Sequence, residues 1–182
     1  MSKILTIDYE TSDSRVNFGQ VLQAGIVISD DKLNIQSRHE LRCRLKPTVI
    51  PSIGACLVHK IPVNILKNSN KSHYEMVLEH YNLIKDNTPS VVMGFNQVAF
   101  DIEFYRRMLY KSLIPDVYQT NTNGNRHLDI LNVSRAAKFA DNNSIQTILN
   151  EKKRDSFKLE DLSTANKINN GTSHDAKTDC LN

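Results

Sequence analysis

The stretch Ile4-Leu5-Thr6-Ile7-Asp8-Tyr9-Glu10-Thr11 decides how the rest of the chain is understood. It is a hydrophobic run that closes on two acids. Side chains alternate across a strand, so residues 8 and 10 emerge on one side and Tyr9 points the other way, toward a core. Two carboxylates side by side repel each other. A carboxylate taken out of water is costly unless it is paired or bound to a metal. A strand that delivers two acids to one place therefore points to a held cation.

Working outward, Gln20 to Ser29 carries Val21, Leu22, Ala24, Ile26, Val27 and Ile28 and is expected to form a second strand. Ile35 to Leu45 alternates and forms a third, with Asp30-Asp31 between them as a hairpin turn. Three successive strands favour an antiparallel meander. Pro47 and Pro51 then break the chain. Tyr74, Val77, Leu78, Tyr81 and Ile84 recur at three- and four-residue spacing, the signature of an amphipathic helix. Ser90 to Phe95 is a short buried strand stopped at Gly94. Val98 to Lys111 is a helix with Phe100, Phe104, Met108 and Leu109 on its apolar side. Leu128 to Phe139 and Phe157 to Asn166 have helical patterns, and Gly171 precedes a last helix beginning near His174. The sum is an α/β architecture, a mixed sheet with helices packed on it.

The 182 residues are enough for one domain with a real core, and 40% hydrophobic with 24% charged residues is ordinary for a globular protein. A net charge of +3 is compatible with an anionic partner without naming one. Cys43, Cys56 and Cys180 are odd in number and fit no zinc spacing, so they are expected to be reduced thiols in a cytoplasmic protein. No run approaches the roughly 18 apolar residues of a membrane span. The final helix would have only about eight residues, a marginal length. The chain is therefore expected to be a single domain, 1–182, that stops within that helix.

Two further acids, Asp101 and Asp179, and a histidine, His174, complete a specific chemistry. Two cations about 3.5–4 Å apart stabilise both the attacking and the leaving oxygen in phosphodiester cleavage. Magnesium takes oxygen ligands and uses only a few carboxylates, which Asp8, Glu10, Asp101 and Asp179 would supply from different elements. A base must take a proton from the attacking water. His174 suits this because an imidazole titrates near neutrality. Asp175 and Asp179 would share a helical face, so spacing leaves both open as the C-terminal ligand.

These motifs carry a resemblance. Asp8-Tyr9-Glu10-Thr11, then Gly94-Phe95-Asn96 with Phe100-Asp101, then His174-Asp175-Ala176 with Asp179, resembles the DEDDh 3′→5′ exonuclease superfamily, with the best fit to exonuclease domains of the exonuclease I kind. Supporting stretches are Asn96-Gln97-Val98-Ala99, Leu128-Asp129-Ile130-Leu131 and Ser156-Phe157-Lys158-Leu159-Glu160-Asp161-Leu162. The resemblance implies a ribonuclease H-like fold and two magnesium ions, with manganese as a substitute. It implies release of 5′-mononucleotides from single-stranded DNA, and so a place in DNA repair. It assigns Asp8, Glu10, Asp101 and Asp179 to the metals, His174 to the general base, and Glu10, Thr11, Lys158 and Asp179 to contact with substrate. A single-stranded-DNA-binding protein is a partner on the same ground alone.

The chain departs from that pattern in three places. Lys158 stands where an arginine is usual; lysine keeps the charge and loses the bidentate fork. Thr11 is followed by Ser12-Asp13 where a glycine is common nearby. The further C-terminal domains of the family are not expected within these 182 residues. Two alternatives stand beside the main one. The first is the same chemistry on RNA, or as a proofreading exonuclease, since a 2′-hydroxyl preference is not written in these residues. The second is a nucleic-acid-binding module without catalysis. His59, His73, His80 and His127 are read as structural or exposed and receive no role. Phe100, Phe104 and Phe157 are read as core.

Overall fold

In the computed structural model, residues 3–168 and Cys180 are described. Five strands form one sheet in the order β3-β2-β1-β4-β5. They are β1 (Lys3–Thr11), β2 (Val21–Ser29), β3 (Ile35–Arg42), β4 (Ser90–Gly94) and β5 (Arg126–Asp129). The first three run antiparallel, as the meander predicts. β4 is parallel to β1, and β5 is parallel to β4. The parallel half requires long connections. The first contains α1 (Ile53–His59), α2 (Val63–Asn68) and α3 (His73–Asp86), and the second contains α4 (Asp101–Lys111). After β5 come α5 (Ile130–Ala140), a two-residue-strand hairpin of β6 (Ile148–Leu149) and β7 (Asp155–Ser156), and α6 (Leu159–Ala165). This mixed sheet flanked by helices is the ribonuclease H-like arrangement.

Alternation along β1 sorts its side chains. Leu5, Ile7 and Tyr9 are buried against Ile26 and Ile28 of β2, Met76, Val77 and Ile84 of α3, and Ile102, Phe104, Tyr105 and Leu109 of α4. Each such side chain contributes about 1.5–3 kcal/mol on burial. The opposite face, with Thr6, Val27 and Met93, shares a cavity of about 320 Å³ with Ile130 of α5, Leu159 of α6 and Cys180. α3 begins with a reciprocal cap. Ser72 Oγ accepts the Glu75 N–H at 3.2 Å, and Glu75 Oε2 accepts the Ser72 N–H at 2.6 Å.

The structure corrects several sequence-derived boundaries. The helix expected over Leu128 to Phe139 starts two residues later, at Ile130. The residues before it, Arg126–Asp129, are the edge strand β5. Only four residues long and largely exposed, that strand carries no periodic signal. α1 and α2, too short to show a period, were not anticipated. The helix near His174 lies outside the described residues. Among the described residues no helix is long and apolar enough to cross a membrane.

Candidate active site

β1 runs beyond the end of β4: its parallel pairing stops at Thr6 opposite Met93, while its pairing with β2 continues to Thr11 opposite Val21. The acids therefore sit where the sheet opens. Asp8 is paired in register with Gly25 and Glu10 with Gln23, and a β-bulge falls between Glu10 and Thr11. Asp8 is half-buried, whereas Glu10 and Thr11 are each 7% exposed.

Past the bulge the chain is tied to α1. Ser12 O accepts the Ser52 N–H at 2.8 Å, and Ser52 Oγ caps α1 by accepting the Ala55 N–H at 3.2 Å. This link closes a cleft of about 440 Å³. One wall carries Asp8, Tyr9, Glu10 and Thr11, and the other carries Ser52, Ala55, Val58 and His59; Phe100 also lines it. Beside the cleft, Asp13 forms a two-point pair with Arg15, at 2.7 and 3.0 Å. That pair holds the Asp13 carboxyl down at about 2.

Asp101 is the first residue of α4, as the sequence places it in the opening of a helix. It is delivered by the turn after β4. Gly94 is the last residue of that strand, and a side chain is disfavoured there because a Cβ would lie 2.7 Å from the backbone oxygen of Ile7. Asn96 follows in the left-handed region, at φ 57°. The turn is held by Asp129, which sequence reasoning left without a role. Asp129 Oδ1 accepts the N–H of Asn96 at 3.0 Å and of Leu131 at 3.1 Å, and Oδ2 accepts the N–H of Val98 at 3.2 Å. Gln97, fully buried, donates to the carbonyls of Val92 and Leu128.

The Asp101 carboxyl is 3% exposed. Its pKa is raised well above the ordinary carboxylate value, first by desolvation and then by the charge of Asp8. Glu10 adds to the rise, and the backbone amides of Asp101 and Tyr9 oppose it. Its Oδ1 is buried with no hydrogen-bond partner among the described residues. A buried oxygen without a donor, held near two other acids, is the chemistry of a ligand to a hard cation. The oxygens present thus fit a divalent metal. Among the described residues, however, no group of three or more His, Cys, Asp and Glu side chains forms a metal site by itself.

The remaining expected residues divide. His174, Asp175 and Asp179 lie outside the described residues. Cys180, next in the chain after Asp179, is buried and donates from Sγ to the backbone oxygens of Gly25, the register partner of Asp8, at 3.3 Å and of Thr6 at 3.6 Å. Lys158 is exposed at the N-cap of α6 and does not line the acidic cleft. Tyr9 is core, as expected, with its hydroxyl 2.7 Å from Nε2 of the fully buried His80.

Fold and site together define a ribonuclease H-like domain with an acidic cleft at the open end of its sheet. The chain is close, in sequence and in structure, to the exonuclease domain of exodeoxyribonuclease I. It is 28% identical over 176 residues to exodeoxyribonuclease I of Buchnera aphidicola subsp. Acyrthosiphon pisum, a match covering 96% of this chain and 42% of that protein. It superposes on Escherichia coli exonuclease I in complex with a dT13 oligonucleotide with a TM-score of 0.93 at 25% identity, covering 99% of this chain and 39% of the other. The zinc-bound form of the E. coli enzyme with single-stranded DNA gives a TM-score of 0.91 at 26% identity, covering 99% and 38%. The chain thus spans well under half the length of these relatives. No family model matches it.

Proposed function

We propose that this domain is a metal-dependent 3′→5′ exonuclease that hydrolyses the terminal phosphodiester of single-stranded DNA and releases 5′-mononucleotides. One observation carries the reading: Asp101 has a buried oxygen with no hydrogen-bond partner among the described residues, and the pKa of its carboxyl is raised by burial and then by Asp8 and Glu10 at the open end of β1. The likeness to exonuclease I bound to oligonucleotides supports it.

Asp8, Glu10, Asp101 and Asp179 would hold the cations, two magnesium ions in this proposal. When bound, they supply polarisation of the scissile phosphate and neutralise charge developing on the attacking and leaving oxygens. His174 takes the proton of the attacking water. Thr11 borders the terminal nucleotide. Lys158 meets a strand phosphate as a point charge on a flexible stem. The protein's task beyond this is to hold the reacting phosphate near the acids and away from bulk water.

The test is a 3′-labelled single-stranded oligonucleotide with magnesium, run beside Asp8→Ala and His174→Ala. Loss of mononucleotide release in both variants is expected. Undiminished digestion in either contradicts the assignment.

A further inference from the structure

A second, smaller pocket, of about 50 Å³, forms where the β1–β2 connection, the segment after β3, the start of α3 and one face of α4 meet, and it shares no lining residue with the acidic cleft. Three cations border it: Lys46, Arg107 and Lys111. The fold holds them there. The backbone N–H of Lys46 donates to Gln20 Oε1 at 2.9 Å, and Lys111 Nζ donates to the backbone oxygen of Asn17 at 2.9 Å. Arg107 stands four residues before Lys111 and so shares its face of α4. Among the described residues none of the three forms an ion pair with a carboxylate. The pKa of Lys111 is lowered first by burial and then by the charges of Lys46 and Arg107. Like charges gathered without a counter-charge repel one another, and an anion between them relieves that repulsion.

A buried histidine completes the pocket. His73, the first residue of α3, lines it and is only 6% exposed. Its Nδ1 is buried and has no hydrogen-bond partner among the described residues. Burial, then Lys46 and Lys111, hold this ring at about 4, so it is neutral at pH 7. A neutral imidazole carries one N–H and can place it on Nδ1 when an acceptor stands there. An unsatisfied buried polar atom beside unpaired cations calls for an acceptor that bears negative charge. The volume is far below the roughly 300–1,000 Å³ of small-molecule sites, so the occupant is compact. We propose that Lys46, Arg107, Lys111 and His73 form an oxyanion site that takes a phosphate group, free in solution or carried by a nucleic-acid strand. The site goes beyond the nuclease reading of the acidic cleft and does not depend on it.

Inorganic phosphate is titrated at pH 7 in EDTA, which keeps divalent metal out of the acidic cleft, against chloride at equal ionic strength. The imidazole nitrogen signals of His73, assigned by their loss in His73→Gln, are followed by NMR beside the melting temperature. Phosphate should shift them saturably and raise the melting temperature, and chloride should do neither. Lys46→Met and Lys111→Met should each weaken phosphate binding roughly tenfold, with binding kept in Lys46→Arg. In chloride, Lys46→Met should melt no lower than the parent, because a repulsion has been removed. A short oligothymidylate, also in EDTA, separates the two sources. Weaker oligonucleotide binding in the lysine variants assigns the site to a strand phosphate, and unchanged oligonucleotide binding with a lost phosphate response assigns it to free phosphate. A response that is the same in phosphate and chloride, or that persists undiminished in both methionine variants, overturns the site. Neither result bears on the nuclease reading, which digestion of labelled DNA tests by itself.

Discussion

Replacing Asp129 should loosen the turn that delivers Asp101, and the size of the effect follows from three hydrogen bonds. Its carboxylate accepts the backbone N–H groups of Asn96, Val98 and Leu131 at 3.0–3.2 Å, joining the turn after β4 to the start of α5. Bonds to a charged acceptor contribute about 1.5–3 kcal/mol each, and water that enters when the side chain is truncated recovers part of that. Asp129→Ala removes all three, the Leu131 bond among them being the cap of α5. It should cost about 3 kcal/mol, of which the cap alone supplies about 1 kcal/mol. Asp129→Asn keeps one oxygen for Asn96 and Leu131 but turns an NH₂ toward the Val98 N–H, for a loss of about 1–2 kcal/mol. Urea unfolding followed by circular dichroism reads the difference; with a slope of about 2 kcal/mol per molar, the alanine midpoint should fall by about 1.5 M. Both variants should also show a smaller rise in melting temperature on adding magnesium, because Asp101 is no longer held. An alanine variant within about 0.5 kcal/mol of the parent, a value typical of featureless surface sites, would refute the clamp. So would an asparagine variant as damaged as the alanine one.

Other outcomes follow from single contacts. Gly94→Ala drives a Cβ to 2.7 Å from the backbone oxygen of Ile7, an atom that has little room to move, and should cost about 1–3 kcal/mol; an unchanged melting temperature would contradict this. Burial holds His73 and His80 at about 4, below the 6.5 of the unfolded chain. The unfolded state therefore binds more protons between those values. The stability contributed is fully present above pH 6.5 and is lost as pH falls through the window to 4, by about 3 kcal/mol per histidine. Unfolding midpoints that stay flat from pH 7 to 4.5 would count against it. Lys158→Arg restores a bidentate fork and should tighten single-stranded DNA binding a few-fold; equal affinity by fluorescence anisotropy would remove Lys158 from the substrate path.

Much of this architecture is legible in the residues because burial imposes a period on them. β1 is nearly continuous in apolar character, and its alternation assigns Leu5, Ile7 and Tyr9 to the core and puts Asp8 and Glu10 together on the other side. α3 and α4 announce themselves the same way. The misses share a cause. β5 is a four-residue edge strand, and α1 and α2 have seven and six residues with many exposed apolar side chains, so none imposes a repeat on its sequence. The polar scaffolding of the site was invisible for another reason. Asp129 acts through backbone amides that any residue supplies, so nothing at positions 96, 98 or 131 marks its partners. That His59 borders the cleft is a property of the fold and not of its neighbours in sequence.

The central claim is that Asp8, Glu10 and Asp101 belong to one cation site at the open end of β1. Crystals soaked in manganese and measured at its absorption edge test it directly. The account predicts two anomalous peaks bordered by these three carboxylates, and their disappearance in Asp101→Asn. Manganese bound only elsewhere on the molecule, or none at these oxygens at saturating concentration, would contradict it.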